Sequence, residues 1–266
     1  MFYIIYMIKK VLTIAGSDSG GGAGIQADMK TFSAFGVYGM TVVTAVTAQN
    51  SLRVNGIEGV SPQFVSLQFE SILSDCGIDG AKTGMLYSSE IVRVIANKFH
   101  EIKVPFVIVD PVLVSSDGTP LIDSKGIETY RKELIPEAYL VTPNIFETET
   151  LSGVSIKSIE DVKEGARRIF DMGCRAVLVK GGHLEGDPVD ILYDGERFIR
   201  FTSIRVKSVS PHGTGCTYSA AILANLVKGN SLVEAIRISK RYIVNAIREG
   251  FAIGKGSNSL NHFVNI

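Results

Sequence analysis

The sequence has no charge surplus of either sign. Its 27 lysines and arginines equal its 27 aspartates and glutamates, and no long basic stripe offers the phosphate-neutralising surface that nucleic-acid binding relies on. No nucleic-acid partner is expected. Cysteine is scarce too. Cys76, Cys174 and Cys216 are odd in number and lack CxxC spacing, which reads as free thiols in a reducing, cytoplasmic compartment. No apolar stretch approaches the roughly 18 to 20 residues that span a bilayer, so no membrane partner is expected. The opening MFYIIYMIKK places its apolar run before its lysines with no small-residue cleavage site after it; residues 1–10 read as an extra leader or an edge strand, not a signal peptide. Internal repeats, low-complexity linkers and composition shifts are all missing. With 266 residues, 45% of them hydrophobic, the expectation is a single domain over residues 1–266.

What is present is an alternation of β-rich runs and helical stretches. VLTIA (Val11 to Ala15) leads through a glycine loop into GIQADMKTFSAF; MTVVTAV follows, and Ser61 with Pro62 opens QFVSLQFESIL as a serine N-cap followed by proline. IDGAKTG leads to SSEIVRVIANKF, FVIVDPV eventually to SKGIETYRKEL, AYLVTPN to IFETETLS, and AVLVKGG ends another apolar strand. Near-continuous β-branched strands alternating with helices predict an α/β fold, a mainly parallel sheet covered on both faces. VDILYDGERFIRF departs from the rhythm, because two strand-like runs flank Asp194-Gly195, a hairpin signal. Two helices, roughly GCTYSAAILANLVKG and SLVEAIRISKRYIVNAIREG, finish the chain.

In an open α/β sheet, ligands bind outside the carboxyl ends of the strands. Taken in order, those ends carry Ser17-Asp18, Gln49-Asn50, Thr83-Gly84-Met85, Asp110-Pro111, Thr142-Pro143-Asn144 with Glu147, Lys180-Gly181-Gly182, and Gly213-Thr214-Gly215-Cys216. One edge of the sheet thus gathers a carboxamide, carboxylates, an ammonium and a thiol. That is the composition of an active site.

Gly22-Ala23-Gly24-Ile25-Gln26-Ala27 fits GxGxxA, a dinucleotide fingerprint. The fingerprint fails its second test, because no Asp or Glu stands between Asp28 and Glu58 to hold a ribose. GK[ST] is absent as well, so the loop is no ATP-binding P-loop. It reads either as a tight turn or as a close backbone approach to a small ligand. Asp28, just inside the following helix, fits an ordinary dipole-compensating carboxylate.

Gly213, Thr214 and Gly215 allow several backbone N–H groups to point inward, and the helix that begins there adds its positive end, so the loop can hold an anion. Cys216 lies in that field. A thiol at a helix N-terminus has its pKa lowered from about 8.5 toward neutrality, which would make it a proton acceptor or nucleophile; the competing reading is an inert, buried small hydrophobe. Cys76 and Cys174 read as inert. Asp110 and Glu147 are candidates for a magnesium ion that also contacts phosphate, and Lys180 offers a mobile point charge to a phosphate. An Asp-Pro turn, a surface glutamate and a snorkelling lysine are the plain alternatives. His212 and His183 lack ligand-like spacing and carry no assignment.

Together TIAGSDSGGGAGIQADMKTF, VTAVTAQNS, KTGML, VDPV, VTPNIFE, LVKGGH and HGTGCTYSAAI resemble the hydroxymethylpyrimidine and phosphomethylpyrimidine kinases of thiamin biosynthesis, in the ribokinase-like superfamily. The resemblance covers almost the whole chain after the first ten residues. It implies a three-layer α/β/α ribokinase-like fold, a homodimer, ATP and Mg²⁺ as cofactors, and phosphorylation of 4-amino-5-hydroxymethyl-2-methylpyrimidine to its monophosphate and then its diphosphate. By motif position, Gln49 would pair with the pyrimidine edge, its carboxamide offering donor and acceptor. Ala23, Asp28, Met85 and Val112 would complete a flat substrate slot. Asn144, Glu147 and Lys180 would engage the nucleotide phosphates and magnesium, with Asp110 nearby. Cys216 would act as the base on the hydroxymethyl group, and the Gly213, Thr214, Gly215 and Cys216 amides would stabilise the transferred phosphoryl.

Three departures from the family pattern stand out: Gly21 replaces a serine, Ser115-Ser116-Asp117-Gly118 lacks a lysine often found there, and Pro211 replaces threonine. Similar sequences that act on vitamin B6 tend to carry methionine where Gln49 stands and alanine in place of Thr214. A vitamin B6 kinase is therefore the second reading. A non-catalytic pyrimidine-binding sensor is the third, and the intact Asp110, Glu147, Lys180 and Cys216 argue against it.

Overall fold

The computed structural model describes residues 8–115, 118–182, 187–206 and 212–266. Outside them lie Ser116 and Asp117, His183, Ser210 and Pro211, and all of the leader before residue 8. Within the described residues, β1 (Lys10–Asp18), β2 (Tyr38–Gln49), β3 (Val54–Gly59), β4 (Gly80–Thr83), β5 (Val107–Val109), β6 (Leu140–Val141), β7 (Val177–Val179), β8 (Val189–Tyr193) and β9 (Phe198–Thr202) form one sheet. Its order is β3-β2-β1-β4-β5-β6-β7-β8-β9. The run from β2 through β1 to β7 is parallel, while β3, β8 and β9 pair antiparallel at the two edges.

Alternate residues of the central strands feed two separate cores, which makes the fold three layers deep. Leu12 and Ile14, Val107 and Val109, and Val177 and Val179 join one cluster; Val11, Ile108 and Leu178, one residue out of phase, join the other. A two-residue period in strands buried on both faces has this outcome. The first cluster is covered by α2 (Pro62–Asp75), α3 (Ser89–Ile102), α5 (Ile145–Ser152) and α6 (Ile159–Phe170), and the second by α1 (Gly24–Ala34), α7 (Thr214–Val227) and α8 (Leu232–Arg248). No described helix is long and apolar enough to cross a membrane.

Local signals explain most boundaries. Ser61 caps α2 by accepting from Phe64 N, with Pro62 in the first turn, and the Asp194-Gly195 turn joins β8 to β9, with Gly195 at φ +94°. Other boundaries escape sequence patterning. β3 is a glycine-bearing strand, VNGIEG, that pairs along the outer edge of β2. The stretch SKGIETYRKEL is split into α4 (Ser124–Thr129) and one turn of π-helix, Tyr130–Leu134. Lys10, counted with the leader, already belongs to β1.

Candidate active site

A cavity of about 870 Å³ runs along the carboxyl ends of the parallel strands. Chain order reverses there, between β1 and β4, the place where open α/β sheets hold ligands. Following the sheet from β2 to β7, its wall carries Gln49, Ala23, Met85, Val112, Asp110, Asn144 with Glu147, and Lys180, and the Gly213 to Cys216 turn closes over them.

Asp28 is the exception. It is fully buried and takes no part in the wall. Its carboxylate accepts from Thr13 Oγ1 at 2.6 Å and from Lys82 Nζ at 2.8 and 2.9 Å, beneath the cavity floor. Expected in the substrate slot, Asp28 lies behind the cavity wall in this structure: α1 turns this side toward the sheet, where an unpaired carboxylate would be too costly to bury. Lys82, in the KTGML stretch, has no sequence signal beyond a lysine at a strand end.

The glycine loop is also occupied from within. Asp18 Oδ1 accepts from Gly20 N at 2.8 Å, and Oδ2 accepts from Gly22 N at 3.0 Å and Ala23 N at 2.8 Å. Burial pushes the Asp18 carboxyl up, but hydrogen bonds from His212, Ala23 and Gly20 outweigh it and hold the group below the usual carboxylate range. The loop amides serve a protein carboxylate rather than a phosphate.

A different cradle is available at α7. Gly213 has φ +84°, and a Cβ there would stand 1.8 Å from Gly22 O, so only glycine lets the turn approach the loop. The first helical bond, Thr217 N to Gly213 O, spans 2.9 Å, and Gly213 to Cys216 line the cavity at the helix's positive end, where the first-turn amides have no partner within the helix. Lys180 adds a cation here: a Cβ on Gly215 would lie 3.2 Å from its Nζ.

Lys180 Nζ donates to Asp110 Oδ1 at 2.7 Å, and Thr142 Oγ1 and Ser219 Oγ donate to the same carboxylate at 3.1 and 3.0 Å. Burial raises the Asp110 carboxyl, yet the Lys180 and Lys82 ammonium groups hold it low. Asn144 and Glu147 cap α5 reciprocally, Asn144 N to Glu147 Oε2 at 2.7 Å and Glu147 N to Asn144 Oδ1 at 2.9 Å. Burial, with Asp110 adding to it, pushes Glu147 up to about 7, against the pull of Lys180.

Cys216 reverses its expected acidity. Burial pushes its thiol up to about 11; Lys82 opposes the rise, while Asp28 and Asp110 add to it. The helix N-terminus alone would lower the pKa, but two carboxylates and the loss of water outweigh that field.

One family model, described as phosphomethylpyrimidine kinase, matches residues 18–261. The chain belongs to the phosphomethylpyrimidine kinase family. It is 51% identical, over 96% of its length, to the thiamine biosynthesis bifunctional protein ThiED of Geobacter sulfurreducens, of which it spans 52%. It is 41% identical to the hydroxymethylpyrimidine/phosphomethylpyrimidine kinase of Bacillus subtilis, covering 96% of this chain and 95% of that one. Among solved structures, the pyridoxal kinase from Staphylococcus aureus in complex with ADP superposes with a TM-score of 0.90 at 37% identity, covering 96% of this chain and 94% of that one.

In this family kinase the cavity continues past β7 into a part that sequence reasoning left unassigned. Pro188, Ile204 and Val206, with Ile243, Val244 and Ile247 of α8, give that part a largely apolar lining, to which Ser203, Arg205 and Lys240 add polar groups. At its floor the buried Asp190 accepts from Tyr218 Oη at 3.0 Å, Lys240 Nζ at 2.6 Å and Gly181 N at 3.1 Å. The last bond ties the turn after Lys180 to β8.

Proposed function

We infer that this kinase transfers the γ-phosphoryl group of ATP to the hydroxymethyl group of 4-amino-5-hydroxymethyl-2-methylpyrimidine, and then phosphorylates the monophosphate to the diphosphate. The observation that carries this reading is the continuity of one cavity from Gln49 through the α7 cradle to the largely apolar slot on α8. Its volume suits two ligands end to end. An aminopyrimidine at Gln49, between Met85 and Val112, directs its alcohol at Cys216 and Gly215. A purine base takes the apolar slot, which leaves the phosphates at Lys180 and the first turn of α7.

Phosphoryl transfer asks mainly for positioning and charge stabilisation. The α7 amides and Lys180 supply the charge, and Cys216 accepts the hydroxyl proton. With its thiol up near 11, only a small thiolate fraction is present at neutral pH, so proton removal is a place where the rate is sensitive to pH. Asp110 and Glu147 already accept hydrogen bonds from protein donors, and no described group of three or more His, Cys, Asp or Glu converges as a metal cage. Such residues fit a magnesium ion carried mainly by phosphate oxygens and water, with Glu147 and Asp110 behind them. The ion would neutralise charge on the transferring phosphate.

The competing vitamin B6 kinase reading draws on the pyridoxal kinase fold match; Gln49 and Thr214 oppose it. ADP release measured with Mg-ATP and hydroxymethylpyrimidine, its monophosphate or pyridoxal decides between them. Turnover of both pyrimidines well above pyridoxal is expected. Preference for pyridoxal would replace this reading, and no ADP from any of the three would leave a sensor.

A further inference from the structure

His212 stands where three parts of the site meet. Its Nε2 lies 3.1 Å from Asp18 Oδ2 and 2.8 Å from the Gln49 carboxamide terminus placed as Nε2, with the donor and acceptor roles of the two nitrogens depending on the imidazole tautomer. The ring packs so closely on the glycine loop that a Cβ on Gly22 would be 2.8 Å from its Cδ2. Its backbone N–H donates to Asn258 O at 3.2 Å, so the C-terminal segment holds it from behind. With side chains only 18% and 4% exposed, His212 and Asp18 meet largely out of water.

A single ring nitrogen cannot donate to one neighbour and accept from the other. The Asp18 carboxylate is ionised by its ring of amides and can only accept. Nε2 must therefore carry its hydrogen, because a bare lone pair there would face a carboxylate oxygen at 3.1 Å. With N–H at that atom, the Gln49 atom 2.8 Å away has to be the amide oxygen. Oxygen and nitrogen of a carboxamide are told apart by their partners. Thr47 points to the same orientation from the opposite end. Its one hydroxyl proton reaches Ser17 O at 3.0 Å, and its Oγ1 lies 3.2 Å from the other terminus of the carboxamide. An NH2 at that terminus donates to the hydroxyl and conflicts with nothing.

We propose that His212 is a positioning residue that sets the polarity of the Gln49 carboxamide and so selects the substrate edge that Gln49 reads. Held in this way, Gln49 retains one N–H and one oxygen lone pair for a ligand. A ring nitrogen facing the NH2, with an exocyclic amino group facing the oxygen, satisfies both. An edge with donor and acceptor exchanged meets donor against donor and acceptor against acceptor. Without His212 the amide is free to turn by half a revolution, and its pairing with the aminopyrimidine loses definition. This inference rests on the reading of Gln49 as the pyrimidine contact.

The test compares steady-state constants for hydroxymethylpyrimidine and for ATP in wild type, His212→Leu, His212→Gln, Gln49→Met and the double variant His212→Leu/Gln49→Met, each checked for a wild-type-like melting curve. His212→Leu is expected to raise the pyrimidine KM ~tenfold, the worth of one well-placed hydrogen bond, with kcat and the ATP KM nearly unchanged. His212→Gln, whose amide nitrogen can take the position of Nε2, is expected to recover most of that loss. In the Gln49→Met background the His212 change should add nothing to the pyrimidine KM. An unchanged pyrimidine KM in His212→Leu, a loss confined to kcat, or effects that multiply in the double variant would each overturn the role of His212. An unchanged pyrimidine KM in Gln49→Met would instead remove the Gln49 reading itself.

Discussion

Lys82 and Asp28 form an ion pair in which neither side chain exposes any surface, with Nζ 2.8 and 2.9 Å from the two carboxylate oxygens. Burial works against both charges, and Asp28 outweighs it for Lys82, which stays an ammonium. That cation lies under the active-site floor and pulls on Cys216 and Asp110. Buried pairs contribute little net stability while intact, but removing one partner strands the other. Lys82→Met is expected to lower the unfolding free energy by about 3 to 5 kcal/mol, and Lys82→Met with Asp28→Asn to restore a large part of it. Urea denaturation of the two single variants and the double variant checks this; additive losses would show that the two residues are not coupled.

Cys216 sets a second expectation. Cys216→Ala should keep the fold and lower turnover by on the order of 10² to 10⁴, the usual worth of a positioned base. Because burial holds the thiol near 11, the thiolate grows as pH rises, and wild-type turnover should climb between pH 7 and 9 while that of Cys216→Ala stays flatter. Turnover like wild type in the variant removes Cys216 from the proton transfer.

His262 links folding to pH. The imidazole is buried, with Nε2 3.0 Å from Thr217 Oγ1, and burial, helped by Lys30, lowers its pKa from 6.5 to about 4. The unfolded chain therefore binds a proton that the folded one refuses. The neutral ring's contribution is fully present above pH 6.5 and is lost as pH falls toward 4, about 3 kcal/mol across the window. Urea midpoints at pH 7.5, 6 and 5 should fall for wild type and fall less for His262→Gln. Equal slopes would show that another group carries the linkage.

The architecture is written locally. Parallel strands buried on both faces must be continuously apolar, helices between them must be capped, and ligand-binding groups must follow the strand ends, so each rule leaves its mark within a few residues. For this reason Gln49, Met85, Asp110, Asn144, Lys180 and Cys216 could be picked out in sequence before any contact was known. β3 could not, since VNGIEG has two glycines and pairs only because the outer edge of β2 is there to receive it.

Direction and charge needed three dimensions. Whether Asp28 looks into the cavity or into the sheet depends on the packing of α1 over β1 and β4, and Lys82, fifty-four positions away, supplies the partner that makes burial tolerable. The acidity of Cys216 follows from the same packing, because carboxylates and lost water act through space and leave no trace in its neighbours along the chain. His212, without any spacing signal, meets Asp18 and Gln49 from 194 and 163 residues away. Hydrophobic period and turn chemistry are local, so the sequence sets which chemical groups line the strand ends; electrostatics and hydrogen bonding depend on distance in space, so packing sets which of those groups are paired, which are charged and which face the cavity.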